Sequence, residues 1–202
     1  MPEVWQMTLA EFVGGWPMDN AADAEEARQM ERDCGRSVME AAESRPCAGL
    51  VPVRSAPGFY LAGLHGAEGD VLLFSHDETY GEMDVCGGYV GSVLWVEHGS
   101  RGRGLSAELV LAKAGAIGGA PDPVSYTTAG RAAHESAHRL AVQRALRCGM
   151  RVPAHVLRDY PEFAAPVTEM PRRAVRRAAA PRDGMAGHLP CAAPQPAAMA
   201  RG

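Results

Sequence analysis

The chain has 202 residues, 47% hydrophobic and 22% charged, with a formal net charge of −4. That length suits one domain with room for a tail, and the hydrophobic fraction excludes wholesale disorder. No run approaches the roughly 20 apolar residues of a membrane helix, and a start carrying Glu3 and Glu11 but no basic residue is not expected to be a secretory signal.

Residues 3 to 8 can form a short strand, and Thr8-Leu9-Ala10-Glu11-Phe12 starts like a capped helical turn with the acid three places on. Gly14-Gly15-Trp16-Pro17 breaks it. Asn20 is expected to cap a long charged helix, Ala21 to about Ala42, with Ala27, Met30, Cys34, Val38 and Ala41 on one face. Residues 45 to 58 are loop-like, with room for a short strand at Leu50 to Val53. Phe59 to Leu64 and Asp70 to Ser75 predict two strands joined by a glycine-containing turn. Residues 77 to 88 are polar, and Tyr89 to Val96 predicts a strand buried on both faces.

Helix and strand then alternate. The pattern predicts a helix from Gly104 to Ala116, a short strand at Val124 to Thr127, and a helix from Gly130 to Cys148 capped by Gly149. One more helical turn follows Val152-Pro153, and Tyr160-Pro161 closes the ordered part. This order predicts an α/β or α+β layer fold over residues 1–165. Residues 166–202, rich in Ala, Pro and Arg, are expected to be a disordered basic tail.

The charge is divided accordingly. Six arginines against Asp183 make residues 171–202 net +5, which leaves the preceding 170 residues at −9. An acidic body argues against phosphate-gripping nucleic-acid binding as the main task, although the tail can touch an acidic partner, nucleic acid included. The 5 cysteines are scattered without a CxxC pair, so a reduced cytoplasmic protein without a cysteine-based zinc site is expected.

The most informative stretch runs from Val96 to Ser106, between an expected buried strand and a helix. Gly102, Gly104 and Ser106 let the backbone approach a ligand, the helix start offers unpaired N–H groups, and Arg101 and Arg103 add cationic donors. These parts suit a pyrophosphate. No Gly-Lys-Ser/Thr follows, and the glycine spacing is not that of a dinucleotide fingerprint.

Arg101-Gly102-Arg103-Gly104-Leu105-Ser106 resembles the Arg/Gln-x-x-Gly-x-Gly/Ala signature of the GNAT N-acetyltransferase superfamily, with Ser at the last position. Val96, Leu105 and Leu109 fall where that family places apolar anchors. The clear resemblance covers residues 89–118. It implies an acyl-CoA N-acyltransferase-like fold, a mixed, mostly antiparallel sheet flanked by helices. It also implies that backbone N–H groups of residues 101–106 bind the pyrophosphate of acetyl-CoA, and that Leu94, Trp95 and Val96 hydrogen-bond its pantetheine arm. The implied activity is acetyl transfer from acetyl-CoA to an amine of a small molecule or protein. Where the family has an Asn, a Tyr-bearing helix and Gly-Phe, this chain has Thr128-Ala129-Gly130, a His-bearing helix and Gly149-Met150. The run from His138 to Asp159-Tyr160-Pro161 resembles an ending found on phage and mobile-element proteins.

A second motif competes. His134-Glu135-Ser136-Ala137-His138 matches HExxH, which on a helix sets two imidazoles on one face for zinc while the glutamate activates water. A zinc-dependent hydrolase is therefore the alternative class. The third-ligand position of the extended motif holds Arg144, Glu162 lies downstream, and the segment also reads as an amphipathic helix with Leu140, Ala141, Ala145 and Leu146 inward. A divergent acetyltransferase-fold protein modifying nucleic acid is a further alternative.

Acetyl transfer needs a base for the amine proton and an acid for the leaving thiolate. Glu97 is the carboxylate nearest the expected cofactor strand and the first choice for base, whereas Tyr126 and His138, with His134 behind them, are candidates for the acid. The acidic run Asp77, Glu78, Glu82 and Asp84 can attract a cationic amine or be a solvated loop.

Overall fold

The computed structural model describes residues 2–14, 23–66, 69–76, 81–121 and 127–164. It is a mixed α/β protein built on a five-stranded antiparallel sheet. The expected strand at residues 3 to 8 is instead a 3-10 turn, Val4–Gln6. The Glu3 N–H donates to Gln6 Oε1 at 2.9 Å, and this reciprocal cap closes the turn. Helix α1, Leu9–Phe12, follows as expected, its cap closed by Thr8 N–H to Glu11 Oε2 and by Glu11 N–H to Thr8 Oγ1.

Helix α2 spans Ala24–Ser44. Asp23 caps it, accepting the N–H groups of Glu25 and Glu26 at 2.8 and 2.9 Å. Asn20, the expected cap, lies outside the described residues. Of the expected apolar face, Val38 and Ala41 are buried under the sheet, Met30 and Cys34 are half-buried, and Ala27 is exposed.

The sheet is a meander in the order β1 (Val51–Pro52), β2 (Phe59–Gly63), β3 (Val71–His76), β4 (Met83–Val90) and β5 (Val93–Val96). The polar run at residues 77 to 88 gives way to strand at Met83, earlier than its composition predicts. The strand expected from Tyr89 to Val96 is two strands, because the chain turns at Gly91-Ser92 and pairs Val90 with Val93. The turn is held from outside: Asp70 accepts the Gly91 N–H and the Lys113 ammonium donates to the Gly91 carbonyl, both at 2.8 Å. β5 is consequently an edge strand among the described residues, not one buried on both faces.

β3 alternates across the sheet. Val71 and Leu73 face one core cluster with Tyr89, Val96, Leu105, Leu109 and Val110, while Leu72 packs with Val38 and Ala41 of α2 on the other side. The approach of α2 requires Gly88, where a Cβ would stand 2.8 Å from Val38 Cγ1.

Helix α3, Leu105–Ile117, runs behind the sheet, and α4, Thr128–Arg147, packs on it. Bidentate contact between Arg144 and the buried Glu108 carboxylate joins the two helices, and Ser55 donates to the same carboxylate. Gly149, at φ +71°, ends α4, with Gly149 N–H bonded to Leu146 O and Met150 N–H to Ala145 O. Two short turns, α5 (Ala154–Leu157) and α6 (Pro161–Ala164), close a small cluster of Val142, Val152, Val156 and Tyr160. The strand expected from Val124 and the tail from 166 onward lie outside the described residues. Among the described residues, no helix is long and apolar enough to cross a membrane.

Candidate functional site

A groove of about 800 Å³ opens between α2, β5 and the N-terminal ends of α3 and α4. Its floor is Leu94, Trp95 and Val96, and its rim is Arg101, Gly102, Gly104, Leu105 and Ser106. These residues, separately expected from the resemblance, share one cavity. Arg103 is the exception. It is exposed and stacks its guanidinium over the Phe59 ring at 5.4 Å, away from the groove lining.

The rim has the chemistry of an anion site. Gly104 caps α3 at φ +76°, a left-handed conformation natural to glycine. Gly102 is likewise at φ +77°. The N–H groups of residues 102 to 106 have no hydrogen-bond partner among the described residues, whereas Ala107 and Glu108 N–H groups already bond to Gly104 O. A helix start with unused donors favours negative charge. Thr127 caps α4 on the opposite lip, its hydroxyl accepting the Gly130 N–H at 3.0 Å.

The groove wall on α2 is Ala27, Met30, Glu31 and Cys34. Glu31 is the sole carboxylate lining the groove among the described residues, and composition did not single it out. Its spacing did carry a signal, since Ala27, Glu31 and Cys34 fall four and three apart on one helical stripe. Burial pushes the Cys34 thiol pKa up, with help from Asp33 and Glu31, so the groove holds it as a thiol.

The proposed acid–base residues are dispersed. Glu97 is exposed, precedes the 3-10 turn His98–Ser100 and does not line the groove. Tyr126 lies outside the described residues, as do Asp77 and Glu78. Of the other acidic-run residues, Glu82 is exposed and Asp84 is exposed on β4. His138 is fully buried on the far side of α4. Its Nε2–H donates to the Met7 carbonyl at 2.9 Å, which leaves Nδ1 to accept the Tyr160 hydroxyl proton at 2.6 Å. Burial lowers the His138 pKa, partly offset by Met7, and burial also raises that of Tyr160. A neutral imidazole between a carbonyl and a hydroxyl pins the N-terminal segment to the Asp-Tyr-Pro turn. Asp159 completes that junction by accepting the Leu9 N–H at 2.8 Å.

The HExxH pair follows the same logic. His134 Nδ1–H donates to Gly130 O at 2.8 Å, and Nε2 faces the Tyr89 hydroxyl at 3.1 Å. The imidazoles share a helical face, as the spacing predicts, but each ring has both nitrogens in hydrogen bonds. Glu135 pairs with Arg131, and Glu162 with Arg139. Among the described residues no group of three His, Cys, Asp or Glu side chains is arranged to hold a metal.

Comparison with family models, with curated proteins and with solved structures found no match.

Proposed function

We propose that the protein is an acetyl-CoA-dependent N-acetyltransferase that acetylates an amine of a small molecule or protein, on an acyl-CoA N-acyltransferase-like fold. The observation that carries this reading is the groove itself. Leu94 to Val96 and the loop from Arg101 to Ser106, Arg103 apart, line one cavity that ends on unused backbone donors. An edge strand beside such a helix start supplies two things an extended thioester with a pyrophosphate needs. Backbone groups of β5 pair with amides, and the α3 start receives the phosphates.

In the reaction, the amine nitrogen forms a bond to the acetyl carbon, the carbon–sulfur bond breaks, the amine loses its proton to a base, and the thiolate takes a proton from water to leave as CoA. A β5 N–H directed at the thioester carbonyl would stabilise the charge that develops on its oxygen. Removal of the amine proton, directly or through water, falls to Glu97 just beyond β5, since Glu31 is paired with Arg101 at the phosphate end of the groove.

Isothermal titration of the full chain with acetyl-CoA and CoA tests this reading, with zinc run in parallel by thermal shift. Saturable binding of both CoA species that is lost in the Arg101→Gln/Gly104→Val double variant is expected. Failure of either CoA species to bind or to raise the melting midpoint would overturn it.

A further inference from the structure

Arg101 opens the loop, and its guanidinium is engaged along one edge. Nε donates to the Val96 carbonyl at 2.8 Å, and Nη2 donates to the Glu31 carboxylate on α2. Nη1 has no hydrogen-bond partner among the described residues. Both side chains are 43% exposed, so dissolved ions reach the pair. Among the described residues it is the one hydrogen-bonded link between α2 and the loop. Glu31 therefore places a negative charge at the spot where the unused N–H groups and the start of α3 favour an anion.

Two features separate this pair from an incidental surface contact. The Val96 carbonyl fixes the guanidinium from behind, so Arg101 cannot follow Glu31 away from the groove without losing a second bond. The partner also sits on the wall of the same groove, so a ligand phosphate and the Glu31 carboxylate compete for one cation.

We propose that Glu31 is a counter-ion latch. Its carboxylate holds Arg101 until a polyphosphate entering the groove takes over the guanidinium, and the exchange releases the tether between α2 and the loop. The latch rests on the anion-binding reading of the loop and adds to it that occupancy of the site is coupled to α2. It sets the affinity of the site, because each ligand must first displace a carboxylate of the chain.

The test is calorimetric titration of CoA into the full-length protein, Glu31→Gln, Arg101→Gln and the double variant. Glutamine keeps the shape of Glu31 and removes its charge from an exposed helix position, and circular dichroism checks that each variant is folded. A solvent-accessible ion pair predicts that Glu31→Gln binds CoA about three- to tenfold more tightly. Arg101→Gln binds more weakly, and in that background the gain from Glu31→Gln disappears, because the two act as one unit. Amide hydrogen exchange in the first half of α2 speeds up when CoA is added to the parent protein and not when it is added to Glu31→Gln.

Equal gains in both backgrounds would mean plain repulsion without a latch and would overturn the proposal. So would an unchanged or weaker affinity in Glu31→Gln while the parent binds CoA. Absence of CoA binding in all four proteins would overturn the cofactor reading and the latch with it.

Discussion

The indole of Trp95 on β5 lies directly against Gly35 of α2, where a Cβ would stand 3.0 Å from Cε2 and 3.1 Å from Cζ2. The indole N–H is buried there without a hydrogen-bond partner among the described residues, which costs about 1–3 kcal/mol. The contact sets the distance between two walls of the groove. Gly35→Ala should gain roughly 0.5–1 kcal/mol of helix propensity and lose about 1–3 kcal/mol to overpacking. The net expectation is a lower urea midpoint and weaker ligand binding. A Gly35→Ala protein more stable than its parent would show that α2 yields freely.

Asp70 gathers three donors at the back of the hairpin: the Gly91 N–H at 2.8 Å, Arg45 Nη1 at 2.9 Å and Lys113 Nζ at 3.2 Å. Burial raises the Asp70 pKa, but these donors outweigh it and hold the carboxyl below its ordinary value. Lys113 is 8% exposed and Arg45 27%, so the lysine makes the drier half of the cluster. Lys113→Met should therefore destabilise by about 2–4 kcal/mol and Arg45→Met by less, as read by chemical denaturation. Equal losses would mean that the deeper burial of the ammonium does not make it the stronger partner of Asp70.

At Gly104 the space around a new Cβ is open, so the cost of substitution comes from the backbone alone. Gly104→Asn, which tolerates a left-handed conformation, should keep both stability and binding nearly intact. Gly104→Val should lose about 1–3 kcal/mol and weaken CoA binding at least several-fold. Identical behaviour of the two variants would show that the conformation at the start of α3 is not what the ligand uses.

Acid should loosen the junction around His138. Its folded-state pKa is below the ordinary 6.5, so the unfolded chain binds more protons between the two values. Stability is therefore full above about 6.5 and falls as the pH drops from there toward the folded-state value. His134, lowered by burial in the same way, acts in the same window. The melting midpoint should drop between neutral pH and pH of about 5, and less steeply in His138→Gln, which cannot take up a proton. A His138→Gln profile parallel to that of the parent would remove His138 as a source of the acid sensitivity.

Local chemistry was readable from the chain, and long-range partnership was not. The Thr8–Glu11 cap, the glycine stop at 149 and the Arg101–Ser106 loop depend on residues within a few positions of one another, so spacing reveals them. The hairpin was hidden because residues 89–96 form one apolar run, although Gly91-Ser92 carried the turn signal. Stability of that turn depends on Asp70 and Lys113, about twenty residues away on either side, which no window captures. His138 has the residue type of a catalytic group, but Tyr160 and Met7 come from distant segments to seal it. Glu31 was concealed among the many charges of α2 until the fold set it opposite Arg101.

Lys113 is the only lysine in a chain of 20 basic Lys and Arg residues, and it is buried with its ammonium on Asp70, Gly91 O and the Tyr89 ring. The native protein thus shows solvent no lysine amine at all. An amine-reactive acyl donor, such as the acetyl-CoA of the proposed reading, therefore meets no exposed lysine on the folded chain, and a lysine adduct recovered by mass spectrometry would mark molecules that had opened.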